Sequence, residues 1–180
     1  ADVVMLCHVL ADEIDEEVTR ANYDYYEPIT SHGSSLSPGI HAAVAARLHD
    51  VDEATAYFKM AAAIDLGDNM GNAAAGLHMA TMGGLWQAAV MGFCGIMRRG
   101  EALRLDPQLP EAWQRVRLPL RFRGSRLHLD IRSRKKGVDV GITVERVPVT
   151  LQLDGVDREF SPGRHRLRRR NGEAWQVETL

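Results

Sequence analysis

A segment rich in hydroxyl groups lies near the start of the chain, just before a predicted helix. It reads Thr-Ser-His-Gly-Ser-Ser-Leu-Ser-Pro over residues 30–38. Pro38 suits the first turn of a helix, and Ser34, Ser35 or Ser37 suits its N-cap. Because unpaired backbone N–H groups and the helix dipole favour negative charge there, phosphate is a natural ligand. The segment therefore predicts an anion site or, as the bland alternative, an ordinary serine-capped helix.

A single histidine, His78, is the second candidate. It follows Gly76-Leu77 and precedes a long uncharged run, so we expect it at a helix N-terminus, where it can donate to an anion. The alternative is a core histidine whose ring is satisfied locally. No pair of histidines or cysteines has metal-ligand spacing, and no phosphate-binding glycine loop or nucleophile elbow is present. The sequence therefore predicts no metal and no nucleotide site.

Helices must position these residues in the first part of the chain. Residues 38–48 continue as one helix, and Asp50 is expected to cap the next, whose apolar residues recur at spacings of 3 and 4. Those residues are Ala54, Tyr57, Phe58, Ala61 and Ile64. Residues 22–28 show no helical period, and Pro28 is expected to keep Glu27 extended. The stretch between Asp68 and Arg98 has no charged residue and predicts an inner helix enclosed by others.

The period of the apolar residues changes to two in the last third of the chain. Residues 103–113 are interpreted as a proline-punctuated connector. Six or seven antiparallel strands follow, with turns at Gly124-Ser125, Lys136-Gly137 and Asp154-Gly155. The arginines of these strands are expected on a solvated outer face. The fold class is therefore predicted to be α+β.

The charge distribution also divides the chain in two. The 180 residues carry a net charge of −2, but residues 1–113 have 16 acids and 6 bases, whereas residues 114–180 have 8 acids and 16 bases. This balance argues against a nucleic-acid or membrane-surface protein. Two lone cysteines, Cys7 and Cys94, fit a cytoplasmic protein. The apolar start without Met suggests the interior of a longer protein. No signal peptide is expected.

Four motifs carry a family resemblance. In order along the chain they are Y-Y-E-P-I-T-S-H-G-S-S-L-S-P from residue 25, G-L-H-M-A-T-M-G-G-L-W-Q-A from residue 76, L-D-P-Q-L-P-E-A-W from residue 105, and L-R-F-R-G from residue 120. Their order and spacing resemble the C-terminal portion of glycoside hydrolase family 65 over about residues 2–150. The resemblance implies the last helices of an (α/α)6 barrel in residues 1–113 and an antiparallel β C-terminal domain in residues 114–180.

The resemblance also assigns roles to individual residues. It implies that the full protein is an inverting phosphorylase of maltose, trehalose or kojibiose, which uses inorganic phosphate as a co-substrate and no cofactor to release β-glucose 1-phosphate. The implied phosphate-binding residues are Thr30, His32, Ser34, Ser35 and His78. Glu27 is a candidate base only if the protein is a hydrolase that activates water instead. Its alternative role is a structural carboxylate.

One implied residue is missing from the chain. The family's general acid is a glutamate on the upstream part of the barrel, and no segment here matches its surroundings, so the chain alone is expected to be inactive. We expect it to need that upstream half, and the resemblance allows a homodimer. Two rival interpretations stay open: a catalytically silent module that binds a sugar or another subunit, and a helical-repeat binding protein, although no repeat period supports the latter.

Overall fold

Five α-helices occupy the first 95 residues and nine strands occupy the rest, in the computed structural model, which describes residues 1–180. The helices are α1 Asp2–Val9, α2 Glu16–Tyr26, α3 Ser37–Arg47, α4 Val51–Leu66 and α5 Met79–Gln87. The strands are β1 Ile96–Arg99, β2 Ala102–Leu105, β3 Arg115–Phe122, β4 Ser125–Arg134, β5 Gly137–Glu145, β6 Val149–Leu153, β7 Val156–Phe160, β8 Gly163–Arg170 and β9 Gln176–Thr179.

The chain divides into two compact units, Ala1–Gly95 and Ile96–Leu180. The predicted division after residue 113 lies further along the chain than this boundary. The difference arises because β1 and β2 pair as an antiparallel hairpin, which the sequence pattern did not reveal in so short a segment. Four residues per strand give too few alternations for a period of two to be recognised.

Side-chain caps fix where the helices α2 and α4 begin. The carboxylate of Asp15 accepts a hydrogen bond from the backbone N–H of Val18, and that of Asp50 accepts one from the N–H of Glu53, as predicted for Asp50. Acidic residues in both first turns complement the helix dipole. Residues 22–26 belong to α2 although the sequence shows no helical period there, and the backbone of Glu27 is also helical, so the prediction that it is extended was wrong. Helix α2 buries Thr19 and Tyr23, a pair at helical spacing, against the unit's core.

Helix α3 lies at the centre of the helical unit, and every residue from Ser37 to Arg47 is buried. Its alanines let neighbouring helices approach on several sides. The sequence assigned this enclosed position to the uncharged run between Asp68 and Arg98 instead. That run forms a short 3-10 turn, then α5, and then a π-helical turn, Ala88–Phe93. Only one side of α5 is buried, and Met79 and Trp86 on its other side are exposed.

Two sheets build the second unit. One has the strand order β1-β2-β6-β7 and the other β3-β4-β5-β8-β9, and all pairs are antiparallel except β2 with β6. Alternate residues of β4 and β5 are buried, which confirms the predicted period of two. The β3–β4 turn consists of Arg123 and Gly124, which both have positive φ, one residue earlier than the predicted Gly124-Ser125. Both cysteines are buried and unpaired, and no helix in the chain combines the length and apolar character needed to cross a bilayer.

Candidate functional site

The loop between α2 and α3 is held by its own hydroxyl groups. The Thr30 hydroxyl donates to the carbonyl of Tyr26 at 2.7 Å and so closes the last turn of α2. The Ser34 hydroxyl accepts from the backbone N–H of Leu36 at 3.2 Å, and the Ser37 hydroxyl lies 3.3 Å from the carbonyl of Ser34. These contacts fold the loop back onto the N-terminus of α3, where orphan N–H groups are concentrated.

His32 is the turning point of this loop. Its φ is +49°, in the left-handed region that few residues other than glycine adopt. Its ring is anchored on both sides, with Nδ1 at 3.1 Å from the Ser37 hydroxyl and Nε2 at 2.9 Å from the Tyr57 hydroxyl. Burial lowers the pKa of His32, although the nearby Glu27 carboxylate opposes this effect. The imidazole therefore joins the loop to α4 and to α3 at the same time.

Glu27 lies at the end of α2 and shares a partner with His32. Its Oε1 accepts a hydrogen bond from the hydroxyl of Tyr57. Burial raises the pKa of Tyr57, and this bond to Glu27 raises it further, so the phenol keeps its proton. One tyrosine on α4 thus contacts both the candidate base and the histidine of the loop.

A fully buried histidine, His41, lies beneath this network. Its Nδ1 is 2.8 Å from the carbonyl of Ser37, and its ring packs against the rings of His32 and Tyr57, with centroids 4.6 and 5.4 Å away. Burial lowers the pKa of His41 to about 4, so the ring is neutral at physiological pH. Because the His41 ring is neutral, it adds no positive charge next to the loop.

His78 has a carboxylate partner that sequence inspection missed. Its Nδ1 lies 2.6 Å from Oδ1 of Asp65, and its backbone N–H donates to Oδ2 of the same residue at 3.0 Å. The side-chain hydrogen bond from His78 lowers the pKa of Asp65, so the carboxylate is ionised. Because the N–H at Nδ1 donates to Asp65, Nε2 is the nitrogen of His78 that remains for a ligand.

The two motifs are brought together by a close packing of α3 against α5. Gly39 and Gly84 face each other, and a Cβ on Gly39 would lie 3.0 Å from the carbonyl carbon of Gly84. The hydroxyl of Thr81 donates across this contact to the carbonyl of Ser35 at 2.9 Å. The loop that carries the serines is therefore tied directly to the first turn of the helix that His78 precedes.

Helix α4 supplies both anchors of the site. Tyr57, Ala61 and Asp65 recur at intervals of four residues and so share one face of α4. Tyr57 holds the loop before α3, and Asp65 holds the residue before α5. One rigid helix thus sets the distance between the two motifs.

The chemistry available here is anion binding. Two helix N-termini meet, hydroxyl groups line one of them, and a histidine with one ring nitrogen still to be used precedes the other. Such groups hold a phosphate through N–H and O–H donors. Nowhere do three histidine, cysteine or acidic side chains converge as a metal ion would require.

The sequence-predicted residues fall into two groups by their contacts. The side-chain polar atoms of Thr30 and His32 are bonded to protein partners, whereas Ser34 and Ser35 retain hydroxyl hydrogens to donate and His78 retains Nε2 for a ligand. His78 does precede a helix, as predicted. The sequence gave no role to Asp65 or Thr81, and it placed Tyr57 only in the core. The helical spacing of Tyr57 and Asp65 showed that they share one face of α4, but it did not show what that face contacts.

Comparisons with known proteins show which family the chain belongs to. A family model described as "Glycosyl hydrolase family 65 central catalytic domain" matches residues 1–87, and one described as "Glycosyl hydrolase family 65, C-terminal domain" matches residues 97–157. The chain belongs to glycoside hydrolase family 65. The two family-65 models change over at nearly the same point as the two structural units.

Several proteins of known name are similar to this family-65 chain. A kojibiose phosphorylase of Halothermothrix orenii is 46% identical over 77% of this chain and 18% of that protein. An α,α-trehalose phosphorylase of Geobacillus stearothermophilus is 41% identical over 89% of this chain and 21% of that protein. A solved structure described as "Putative kojibiose phosphorylase from human microbiome" matches with a TM-score of 0.82 and 28% identity, over 99% of this chain and 25% of that one. The chain spans about a fifth of the length of the curated relatives it matches.

Proposed function

We propose that this chain is the C-terminal part of a family-65 phosphorylase and carries its phosphate site. The full protein would split a glucose disaccharide such as maltose, trehalose or kojibiose with inorganic phosphate. It would invert the anomeric centre and release β-glucose 1-phosphate and glucose. The observation that carries the proposal is the bond from Thr81 to Ser35, because it brings together two helix N-termini, where an anion would be held.

Inversion sets what this surface must do. Phosphate has to attack from the face opposite the departing sugar, in the position that water occupies in an inverting hydrolase. A dianion held by helix N-termini and hydroxyls is oriented without a metal ion or other cofactor. Ser34 and Ser35 would donate to phosphate oxygens at the start of α3. Nε2 of His78 would contact phosphate before α5, as an acceptor from a protonated phosphate oxygen or, when the ring also carries a hydrogen on Nε2, as a donor.

Thr30 and His32 would act through the loop instead of touching phosphate. The Thr30 hydroxyl closes the end of α2, and both nitrogens of His32 face protein hydroxyls. Their contribution is to hold Ser34 and Ser35 in place. Of the five residues that the family resemblance suggested, three would bind phosphate directly and two would support the loop.

The helical unit would be the last part of an (α/α)6 barrel, and the sheets from Ile96 onward its C-terminal β domain. Exposed apolar side chains on two helices support this arrangement, because other barrel helices would cover them. They are Met5, Leu6 and Val9 on α1 and Met79 and Trp86 on α5. The general acid would lie on the upstream part of the barrel, so this chain alone would not cleave a glycosidic bond.

Product analysis of the intact protein tests the proposal. Maltose, trehalose and kojibiose are each incubated with and without phosphate, and glucose and glucose 1-phosphate are both measured. Sugar phosphate that forms only with phosphate present is expected. Ser35→Ala and His78→Asn should then raise the KM for phosphate, whereas Ser31→Ala, a change at an exposed serine of the same loop, should not.

A hydrolase is the second candidate, with Glu27 as the base. The observation in its favour is the position of Glu27 beside the loop, where its carboxylate contacts Tyr57. Free glucose released at equal rates with and without phosphate would support hydrolysis and overturn the phosphate site. A folded intact protein that releases neither glucose nor glucose 1-phosphate would favour a silent sugar- or subunit-binding module.

A further inference from the structure

One hydroxyl group connects the candidate base with the loop histidine. The Tyr57 hydroxyl has a single hydrogen, and the bond to Oε1 of Glu27 uses it, since an ionised carboxylate can only accept. The same oxygen lies 2.9 Å from Nε2 of His32. Because the tyrosine oxygen has no second hydrogen to give, Nε2 must be the donor in that contact.

This polarity decides the tautomer of the imidazole. A neutral histidine carries one hydrogen, so a proton on Nε2 leaves Nδ1 as an acceptor. Nδ1 lies 3.1 Å from the Ser37 hydroxyl, which has a choice of two acceptors, this nitrogen and the Ser34 carbonyl at 3.3 Å. With Nδ1 free to accept, the Ser37 hydrogen goes to His32. A continuous chain of donors then runs from Ser37 through His32 and Tyr57 to Glu27.

We propose that Tyr57 is a positioning residue for phosphate: its hydroxyl fixes His32 as the Nε2–H tautomer and so holds the Ser34–Ser35 loop at the N-terminus of α3. This inference rests on the proposed phosphate site. Tyr57 is suited to the task because its ring is 8% exposed and packs on the rings of His32 and His41 at 4.8 and 5.4 Å. The charge of Glu27 polarises the phenol and makes its oxygen a better acceptor for His32.

The loop needs these hydrogen bonds because the backbone conformation of His32 is energetically unfavourable. His32 adopts a φ of +49°, which a non-glycine residue keeps only when its surroundings hold it there. Loss of the Tyr57 hydroxyl would leave Nε2–H without an acceptor, and the imidazole would move its proton to Nδ1. Ser37 would then turn its hydrogen to the Ser34 carbonyl, and His32 would no longer be tied to α4.

The test combines a spectroscopic measurement with a kinetic one on the intact protein. Histidine is labelled with ¹⁵N, and the His32 signals are assigned from their loss in His32→Gln. Two-bond ¹H–¹⁵N spectra should show a proton on Nε2 in the parent protein and on Nδ1 in Tyr57→Phe. The KM for phosphate should rise about tenfold in Tyr57→Phe, the loss expected for one or two hydrogen bonds, while kcat changes by less than about threefold.

Two further variants distinguish the effect of the Tyr57 hydroxyl from a general change in aromatic packing. Tyr23→Phe removes another phenol from the same aromatic cluster, one that bonds neither Glu27 nor His32, and should change neither the tautomer nor the KM. Ser37→Ala removes the partner of Nδ1 and should leave the proton on Nε2, because Tyr57 dictates it. Ser37→Ala also tests the tautomer assignment if Tyr57→Phe does not fold.

Each failure has a distinct meaning. A proton on Nδ1 in the parent protein, a tautomer that Tyr57→Phe leaves unchanged, or a tautomer that Ser37→Ala reverses would overturn the inference. A switched tautomer with an unchanged KM for phosphate would overturn the positioning role. A parent protein that releases glucose without needing phosphate would refute the proposed phosphate site and, with it, the role of Tyr57 in phosphate binding, even where the tautomer switches.

Discussion

The contact between α3 and α5 predicts the effect of adding one methyl group. A Cβ on Gly39 would lie 3.0 Å from the carbonyl carbon and 3.1 Å from the Cα of Gly84. Because both are backbone atoms of a helix, they yield only if α5 moves as a body. Overpacking of this kind costs about 1–3 kcal/mol, whereas alanine in place of a helical glycine returns at most about 1 kcal/mol. Gly39→Ala should therefore lower the free energy of unfolding by about 1–2 kcal/mol.

Gly83, the residue beside Gly84, supplies the matched control. No atom lies within 4 Å of a Cβ added there, and its backbone is ordinary helix, so Gly83→Ala should raise the free energy of unfolding by about 0.5–1 kcal/mol. Urea unfolding followed by circular dichroism, on the 180-residue chain itself, compares the two variants. Equal stability of Gly39→Ala and Gly83→Ala would refute the reasoning.

The same pair of variants tests the link to function. A displacement of α5 stretches the 2.9 Å bond from Thr81 to Ser35 and moves the residue that precedes the helix. Gly39→Ala should therefore raise the KM for phosphate, and Gly83→Ala should leave it unchanged. If the KM for phosphate is the same in both variants, the packing of α3 on α5 does not set the geometry of the site.

Three other changes follow from contacts of the site. Thr81→Val keeps the shape but leaves the Ser35 carbonyl without its donor, and it should lower the free energy of unfolding by about 1–2 kcal/mol in urea titrations. Asp65→Asn removes the charge that orients His78, so the KM for phosphate should rise about tenfold while the fold is retained, as initial rates would show. His41 has its pKa lowered to about 4, so the unfolded chain binds the extra proton first. Stability is thus complete above about pH 6.5 and falls by about 3 kcal/mol toward pH 4, a loss that His41→Asn should abolish in unfolding measurements across that range.

Local patterns predicted those parts of the fold whose causes are local. The cap at Asp50 joins residues only three positions apart, so the sequence predicted it. The β3–β4 turn depends on two adjacent backbone conformations, so the sequence located it to within one residue. The alternation in β4 and β5 extends over nine or ten residues and is unambiguous. The hairpin of β1 and β2 has strands of four residues, too short for such a signal.

The site shows the same limit. The hydroxyl-rich loop and His78 were recognisable because residue type and a following helix suffice to indicate an anion site. Tyr57 and Asp65 were not, since an apolar stripe with a tyrosine on it predicts core packing, and an aspartate near a helix end predicts solvent. Their roles depend on contacts across 25 and 13 residues of sequence, which only the folded chain reveals.

Eight residue steps lead from Tyr57 to Asp65 and fix the spacing of the two motifs. At about 1.5 Å per residue they separate the two anchors by about 12 Å along the axis of α4. An insertion or deletion of one residue between them would rotate one anchor by about 100° relative to the other, so this stretch tolerates substitutions at its exposed positions but no change of length. Anyone who wishes to transplant the proposed anion-binding surface into another scaffold would need to carry α4 with it, as an intact spacer, or lose the alignment of the two ends.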